Sequence, residues 1–240
     1  VVVLLIFLKW KKINLTIAKK DRGMIFLGGL LMGIHWVFYF MALQLSNVAI
    51  GMLTIYTYPA MSSLLEPLIL KTKFQKTHLL LGVLILIGLY FLVPEFSLEH
   101  EYTRGILCGL ISAFAYAIRN ILMKKQVENY HGSLLMWYQM LVIGVVLLPV
   151  SVTVSYDGLV EALPLILILA VFTTAIGHTV FLMSFRHFNI TTAALMSSVQ
   201  PIYGILLGYL ILGESPRWMT IFGGSLILSA VVFEALRSAR

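Results

Sequence analysis

Polar side chains recur every four residues through one long apolar segment of the chain. They are Thr54, Tyr58, Ser62 and Glu66, and this spacing places them on one stripe of a helix. In a lipid bilayer the stripe must face protein or water, because an acidic side chain at the centre of a membrane helix costs about 2.5 to 3.5 kcal/mol. Glu66 is therefore a candidate for proton coupling. The alternatives are a structural ion pair, with Lys71 and Lys73 close by, and a water-exposed helix end, and the sequence leaves all of these open.

Two histidines lie deep within other apolar segments. His35 has Trp36 beside it and Tyr39 one turn later, and His178 has Thr174 one turn before it. A neutral, hydrogen-bonded core histidine is one interpretation of each, and a group that lines a polar cavity is the other. Aromatic rings with a few convergent polar groups are typical of a site for a small amphipathic molecule.

Two prolines interrupt apolar segments at matching positions. Pro59 and Pro201 are 142 residues apart, and each removes a backbone hydrogen bond within its segment. Interrupted helices at corresponding positions of two halves indicate a binding site in many membrane carriers. Kinks without a function are also common in membrane helices, so the prolines indicate either a pathway or a purely structural bend.

We predict a substrate pathway lined by polar and aromatic side chains together with these prolines. Its residues are His35, Trp36, Tyr39, Thr54, Tyr58, Pro59, Ser62, Glu66, Tyr116, Asn120, Gln139, His178, Ser198, Gln200, Pro201 and Tyr203. Arg119 and Glu234 lie near predicted span ends, where long side chains reach the interface, and we interpret them as structural. The chain has no phosphate-binding loop, HExxH or GxSxG motif, so neither an enzyme, a cofactor nor a metal site is predicted.

The composition is that of a multispanning helical membrane protein. Hydrophobic residues make up 60% of the 240 residues, charged residues only 11%, and the mean hydropathy is +0.97. Eight complete spans are predicted, at 24–43, 48–70, 78–94, 105–123, 133–155, 163–185, 191–212 and 219–236. The single cysteine, Cys108, excludes a disulfide framework and a site built from several cysteines.

The chain contains two copies of one unit, related by a shift of 142 residues. The shift superposes polar, proline and glycine positions: Asn47 with Asn189, Pro59 with Pro201, and Gly82 with Gly224. It also aligns residues 1–8 with the middle of the span at 133–155. These residues are therefore expected to be the tail of a ninth span, with one helix missing before them and five helices in each complete copy. A natural nine-span protein is the alternative.

Lysine and arginine are distributed unequally between the loops on the two sides of the predicted membrane. One side receives Lys9, Lys11, Lys12, Lys19, Lys20, Arg22, Lys71, Lys73, Lys76, Lys124, Lys125, Arg186, Arg237 and Arg240. The other side receives only Arg104 and Arg217. This bias predicts that the first side is cytoplasmic, and it explains the net charge of +7 without a nucleic-acid partner.

The two copies are expected to have opposite orientations. A copy of five spans is odd in number, so the second copy must enter the membrane from the other side. Two inverted halves can exchange their conformations, which turns an inward-facing site outward. The repeat therefore predicts alternating access.

Several motifs resemble those of one transporter family. The first copy contains Ala42-Leu-Gln-Leu-Ser-Asn-Val-Ala-Ile and Tyr56-Thr-Tyr-Pro-Ala-Met-Ser-Ser-Leu-Leu-Glu-Pro. The second contains Ala194-Leu-Met-Ser-Ser-Val-Gln-Pro and Leu210-Ile-Leu-Gly-Glu-Ser-Pro. Together with the repeat, these motifs resemble the EamA family of the drug/metabolite transporter superfamily over essentially the whole chain. The first copy departs from the Gly-Glu pattern, since it has Lys71-Thr72 at the matching positions.

The resemblance implies an all-α bundle of two inverted five-helix repeats, here about eight spans and part of a ninth. It implies a first repeat at residues 1–94, incomplete at its start, and a second at 105–236. It also implies cytoplasmic termini, a plasma membrane or bacterial inner membrane, and a central cavity lined by both halves.

We therefore expect a secondary carrier that exports a small amino-acid-like or amphipathic solute. Its expected partners are that solute, the lipid bilayer and, if transport is coupled, protons. Glycine pairs such as Gly105 with Gly109 favour close helix packing and permit a homodimer. The alternatives are import or carriage of a phosphorylated metabolite, and a membrane-embedded sensor or interaction protein without transport.

Overall fold

The computed structural model describes residues 1–71, 77–92, 99–151, 157–188, 190, 193, 197 and 200–238. The helices are α1 (Val2–Trp10), α2 (Lys19–Leu45), α3 (Val48–Ile55), α4 (Tyr58–Leu70), α5 (Thr77–Leu92), α6 (Glu101–Gln126), α7 (Gly132–Ser151), α8 (Leu159–Ile168), a π-helical segment (Leu169–His178), α9 (Thr179–Ser184), α10 (Gln200–Leu212) and α11 (Trp218–Ser238). All regular structure in these ranges is helical. The predicted all-α fold class is confirmed.

Five helical segments of the described residues are long and apolar enough to cross a membrane. They are Lys19–Leu45, Val48–Leu70, Glu101–Gln126, Gly132–Pro149 and Leu159–Ser184. Three shorter apolar helices are Val83–Leu92, Gln200–Leu212 and Trp218–Phe233. The ends of the predicted spans at 78–94 and 133–155, and the start of the span at 191–212, reach residues outside the described ranges. The protein is an integral, multi-pass membrane protein.

Helix contacts divide the chain into two compact units. The first unit comprises Val1–Gly33 and Leu122–His187, and the second comprises Ile34–Ile121 and Phe188–Arg240. Each unit therefore combines segments that are far apart in the sequence. The division falls within the long helices α2 and α6.

In the first unit, hydrogen bonds tie the loop that follows α6 to the start of α2 and to the end of α9. The Tyr130 hydroxyl donates to the Asp21 carboxylate at 2.7 Å. The Arg186 guanidinium donates to the carbonyls of Val127 at 2.6 Å and Tyr130 at 3.2 Å, near the carboxyl end of α6. A cation at this end also interacts favourably with the helix dipole.

In the second unit, glycines allow helices to approach closely. A Cβ added to Gly109 of α6 would lie 2.1 Å from Thr54 Oγ1 of α3, and one added to Gly105 would lie 3.2 Å from the Ala42 carbonyl oxygen. Glycine is therefore required at Gly109, and the packing role predicted for this pair is confirmed.

The fifth long segment contains a feature that the sequence does not predict. Its middle, Leu169–His178, is π-helical between the α-helical stretches α8 and α9. Neither α8 nor the π-helical segment buries any residue. Where all faces of a helix are apolar, the sequence has no spacing of polar and apolar residues. It therefore cannot distinguish an α-helix from a π-helix.

Candidate functional site

The fourth and third helices meet at a break beside Pro59. Helix α3 ends at Ile55 and α4 begins at Tyr58, so Pro59 is the second residue of a new helix. The missing proline N–H falls where a helix leaves its N–H groups unpaired. The helix interruption predicted from this proline is confirmed, although the chain breaks just before Pro59 instead of bending around it.

Threonine hydroxyls satisfy the backbone carbonyls near this break. Thr57 Oγ1 donates to the Thr54 carbonyl at 2.7 Å, and Thr54 Oγ1 donates to the Ile50 carbonyl at 2.8 Å. Both threonines are buried. Irregular backbone at membrane depth is tolerated when side chains pair the freed groups in this way.

The segments that carry the two prolines lie together in the second unit. The Tyr56 hydroxyl, in the break between α3 and α4, donates to Oε1 of Gln200 at the start of α10. Pro201 follows directly and is buried, as is Pro59. This contact joins the first predicted copy to the second.

Aromatic rings form a continuous chain from this contact to α2. The rings of Tyr56 and Tyr58 pack in a T-shaped arrangement with their centroids 5.8 Å apart, and those of Tyr58 and Tyr116 do so with centroids 4.9 Å apart. Tyr116 stacks on His35 at 4.4 Å, and His35 stacks on Tyr39 at 6.1 Å. Four of these residues, Tyr56, Tyr58, Tyr116 and His35, are buried. We call these five residues the aromatic chain.

The protonated nitrogen of His35 follows from its hydrogen bonds with Ser112. Ser112 Oγ donates its one hydrogen to the His35 carbonyl at 2.8 Å. The same oxygen lies 2.8 Å from His35 Nδ1, so it must accept from that nitrogen. Nδ1 therefore carries a hydrogen, and Nε2 is the nitrogen at which a neutral ring would take up a proton.

Arg119 lies beside Tyr116, the middle residue of the aromatic chain, one turn later on α6. Its side chain is 0% exposed, its guanidinium carbon is 5.9 Å from the centre of the Tyr116 ring, and Nη1 donates to Asn120 Oδ1 at 3.0 Å. The sequence interpretation, in which Arg119 extends to the interface, is wrong. The helix is packed closely enough at this turn to enclose the whole side chain.

The polar stripe on α3 and α4 is largely buried. Thr54, Tyr58 and Ser62 are all buried, whereas Glu66 is half-buried near the end of α4. Ser62 Oγ has no hydrogen-bond partner among the described residues. The stripe faces protein over its first three members, as its spacing predicts.

Five further predicted pathway residues are described by their place in the chain. Gln139 and His178 lie in the first unit, where Gln139 Nε2 donates to the Leu135 carbonyl at 3.1 Å. Trp36 is half-buried on α2, and Tyr203 is 61% exposed on α10. Ser198 lies outside the described residues.

The cluster combines buried aromatic rings with buried polar groups. Its buried surfaces are aromatic, and its polar groups are a hydroxyl, an imidazole, an amide and a guanidinium. Among the described residues, no three His, Cys, Asp or Glu side chains are grouped closely enough to hold a metal ion.

Three curated relatives cover most of the chain, and each is a transporter. An uncharacterized transporter of Archaeoglobus fulgidus is 28% identical over 194 residues, which is 81% of this chain and 69% of that protein. The pseudopaline exporter CntI of Pseudomonas aeruginosa is 22% identical over 95% of this chain and 80% of its own length. The threonine/homoserine exporter RhtA of Salmonella typhimurium is 23% identical over 96% of this chain and 77% of its own length.

A solved crystal structure has the same fold. Its sequence is 16% identical to this chain. The superposition covers 98% of this chain and 82% of the solved chain, with a TM-score of 0.66. The sequence model of the EamA-like transporter family matches residues 1–93 and 103–235. Because these two ranges together span nearly all of the chain, it belongs to the EamA-like transporter family.

Proposed function

We propose that this protein is a secondary transporter that exports a small amphipathic solute, and that the aromatic chain of the second unit forms part of its binding site. The observation that carries the proposal is the buried contact between His35, Tyr58 and Tyr116 on three membrane-spanning segments. Buried polar groups are expensive in a membrane and usually mark a solute pathway. Two relatives are named exporters of small molecules, which supports export.

Alternating access between two inverted repeats, at residues 1–94 and 105–236, is the mechanism we propose. Two equivalent positions support the repeat. The residue directly after α4 is Lys71 with φ +56°, and the residue directly after α10 is Gly213 with φ +70°, so a left-handed residue follows each helix at positions 142 residues apart. A lysine in this conformation is uncommon, which makes the coincidence informative.

Two groups are candidates for proton coupling. His35 offers Nε2 within the aromatic chain, and Glu66 offers a half-buried carboxylate near the end of α4. The distribution of Lys and Arg favours a cytoplasmic carboxyl terminus, and we propose the plasma membrane as the location.

Reconstitution in liposomes tests the proposal. Liposomes that contain the protein are loaded with a pooled set of amino acids and related metabolites, and the compounds that leave are measured by mass spectrometry with and without a pH gradient. We expect selective efflux of a few compounds. A dependence on the gradient would indicate proton coupling, and gradient-independent efflux would indicate a uniporter.

Two tyrosine variants provide the matched control. Tyr58→Ala removes a buried ring of the aromatic chain and should reduce selective efflux at least tenfold. Tyr209→Ala removes a ring that is 54% exposed on α10, and efflux should stay near that of the unmodified protein. Binding of a solute without efflux, from folded protein, would favour the sensor alternative and contradict the proposal.

A further inference from the structure

We propose that the basic segment 9–22 and the exposed face of α1 together form a binding surface for an anionic phospholipid. The segment joins α1 to the membrane-spanning segment Lys19–Leu45, so it lies at the surface of the bilayer. All of its residues belong to the first unit. The inference goes beyond the proposed transport function and does not depend on the identity of the solute.

Positive charge is concentrated in this segment. It contains six basic residues and one acid, which leaves a net charge of +5, against +7 for the whole chain. The single acid, Asp21, is half-buried and accepts a hydrogen bond from the Tyr130 hydroxyl at 2.7 Å. The basic residues are all exposed, and they are Lys9, Lys11, Lys12, Lys19, Lys20 and Arg22.

The end of α1 gathers three of these lysines in one turn. The Lys12 N–H donates to the Lys9 carbonyl at 3.1 Å, and the Ile13 N–H donates to the Leu8 carbonyl at 2.9 Å. These two bonds form a Schellman motif, in which glycine usually occupies the left-handed position. Lys12 occupies that position here, with φ +52°, and Lys11 precedes it. A lysine is less favourable than a glycine in this conformation, which indicates that its side chain has a role of its own.

Hydrogen bonds from neighbouring side chains hold the backbone of the segment. The Tyr138 hydroxyl of α7 donates to the Leu15 carbonyl at 2.9 Å. The Nε of Arg22 donates to the carbonyl of Ile17 at 3.2 Å, and the Ile17 side chain is buried. The lysines therefore project from an ordered surface, which reduces the entropy lost when a headgroup binds.

An exposed apolar face of α1 leads to the same lysines. Val2, Ile6 and Trp10 recur every four residues on one face of the helix, and they are 68%, 63% and 72% exposed. The Nζ of Lys11 lies 4.6 Å from the centre of the Trp10 ring. An ammonium group therefore adjoins the end of an apolar face, and tryptophan is typical of the depth at which the lipid headgroups begin.

An anionic phospholipid matches both parts of this surface. Its acyl chain covers the apolar face of α1, and its phosphate accepts hydrogen bonds from the lysines at the end of the helix. Clusters of about four to eight lysines or arginines beside a membrane helix are typical of such recognition. An acidic protein would pair with the lysines but would leave the apolar face uncovered. The partner is therefore a lipid with a negatively charged headgroup.

Quenching of Trp10 fluorescence by brominated lipids tests the assignment. The protein and its Trp10→Phe variant are reconstituted in phosphatidylcholine bilayers, to which dibrominated phosphatidylglycerol or dibrominated phosphatidylcholine is added at equal mole fraction. The difference between protein and variant isolates the quenching of Trp10. We expect phosphatidylglycerol to be preferred at least about tenfold, because each lysine beside an anionic headgroup raises the affinity by up to about fivefold.

Trp218 provides the control for position. It is also exposed, but the loop before it contains one base, Arg217, and one acid, Glu214. The same difference measured with Trp218→Phe should show equal quenching by the two lipids.

Two charge variants separate the role of the lysines from their effect on the fold. Lys12→Gly removes one charge and relieves the left-handed conformation, so the unfolding temperature should not fall, while the lipid preference at Trp10 should fall about two- to fivefold. Lys11→Gln with Lys12→Gln should bring the preference close to one. Arg104→Gln with Arg217→Gln removes two exposed charges elsewhere, and the preference at Trp10 should remain.

The opposite results would overturn the lipid surface. These are equal quenching of Trp10 by the two lipids, a preference that persists without both lysine charges, and a preference that the Arg104 and Arg217 changes abolish equally. Displacement of the lipid by inorganic phosphate at constant ionic strength would identify free phosphate as the ligand, and displacement by polyglutamate would identify an acidic protein. None of these measurements involves transport, so their failure would leave the proposed function unchanged.

Discussion

The carboxylate of Glu214 accepts a hydrogen bond from the backbone N–H of Val48 at 2.8 Å. Val48 is the first residue of α3, and Asn47 Oδ1 caps the same helix end by accepting from the Ile50 N–H at 2.9 Å. Two acceptors therefore satisfy the first turn of α3, and the negative charge lies at the positive end of the helix dipole. Gly213 makes this possible, since its left-handed conformation reverses the chain just before Glu214.

Removal of this contact should destabilise the protein. Glu214→Ala deletes the acceptor for Val48 and the favourable charge, so we expect the free energy of unfolding to fall by about 1 kcal/mol. Thermal unfolding in detergent measures the change. Glu128→Ala removes an exposed loop carboxylate and serves as the control. Equal unfolding temperatures for the two variants would contradict the capping role.

Two glycine substitutions should change the free energy of unfolding in opposite directions. Gly109→Ala places a Cβ 2.1 Å from Thr54 Oγ1, and overpacking of this kind costs about 1 to 3 kcal/mol. Gly144→Ala on α7 meets nothing within 4 Å, so it should stabilise by about 0.5 to 1 kcal/mol because alanine loses less entropy in a helix. Denaturant unfolding of both variants distinguishes the two effects. A stabilised Gly109→Ala would show that α3 and α6 can move apart freely.

The hydroxyl of Ser112 should contribute more to the free energy of unfolding than an exposed hydroxyl on a helix does. Ser112→Ala removes the hydrogen bonds that the hydroxyl makes with the His35 carbonyl and with Nδ1, which should cost about 1 to 3 kcal/mol and loosen the imidazole. Ser225→Ala is the matched control, since Ser225 Oγ donates to the Ile221 carbonyl at 2.8 Å on an exposed face of α11. Unfolding and solute efflux should both respond to the first change and hardly to the second. Indistinguishable variants would argue against a fixed orientation of His35.

His131 should make stability depend on pH. Burial lowers its pKa below the ordinary value of about 6.5, and the nearby Arg186 guanidinium lowers it further. The unfolded chain therefore takes up this proton at a higher pH than the folded protein. The stabilising contribution is complete above about pH 6.5 and is lost as the pH falls through the pKa of the folded state.

His131→Asn tests this dependence. The Ser133 N–H donates to His131 Nδ1 at 3.3 Å at the start of α7, and an asparagine can accept the same bond without titrating. Unfolding temperatures measured from pH 8 to pH 5 should fall less steeply in the variant than in the unmodified protein. Superimposable profiles would assign the pH dependence to other groups.

The left-handed ends of α4 and α10 should respond differently to substitution. Gly213→Ala forces a Cβ into the left-handed conformation and should cost about 1 kcal/mol, although nothing lies within 4 Å of the added atom. Lys71→Gly relieves the same strain at the equivalent position and should be neutral or slightly stabilising. Unfolding measurements on the two variants provide the comparison. A destabilised Lys71→Gly would show that the Lys71 side chain contributes contacts of its own.

Local sequence patterns were enough to predict the helices, the membrane and the break at Pro59. Apolar runs of sufficient length must form helices in a bilayer, because only internal hydrogen bonds satisfy the backbone there. A proline acts on its own helix through a missing N–H and a fixed φ, so its effect depends on near neighbours. The four-residue spacing of Thr54, Tyr58 and Ser62 predicted their shared face for the same reason.

The tertiary structure decided which side chains meet. The capping of Val48 by Glu214 and the complete burial of Arg119 both depend on packing between helices that are distant in the sequence. The sequence pattern of one segment predicts which face of its helix is buried and how deep the segment lies in the membrane. It does not predict which other helix packs against that face. Arg119 shows the consequence, since its position near a predicted span end suggested exposure, while the fold encloses it beside Tyr116 and Asn120.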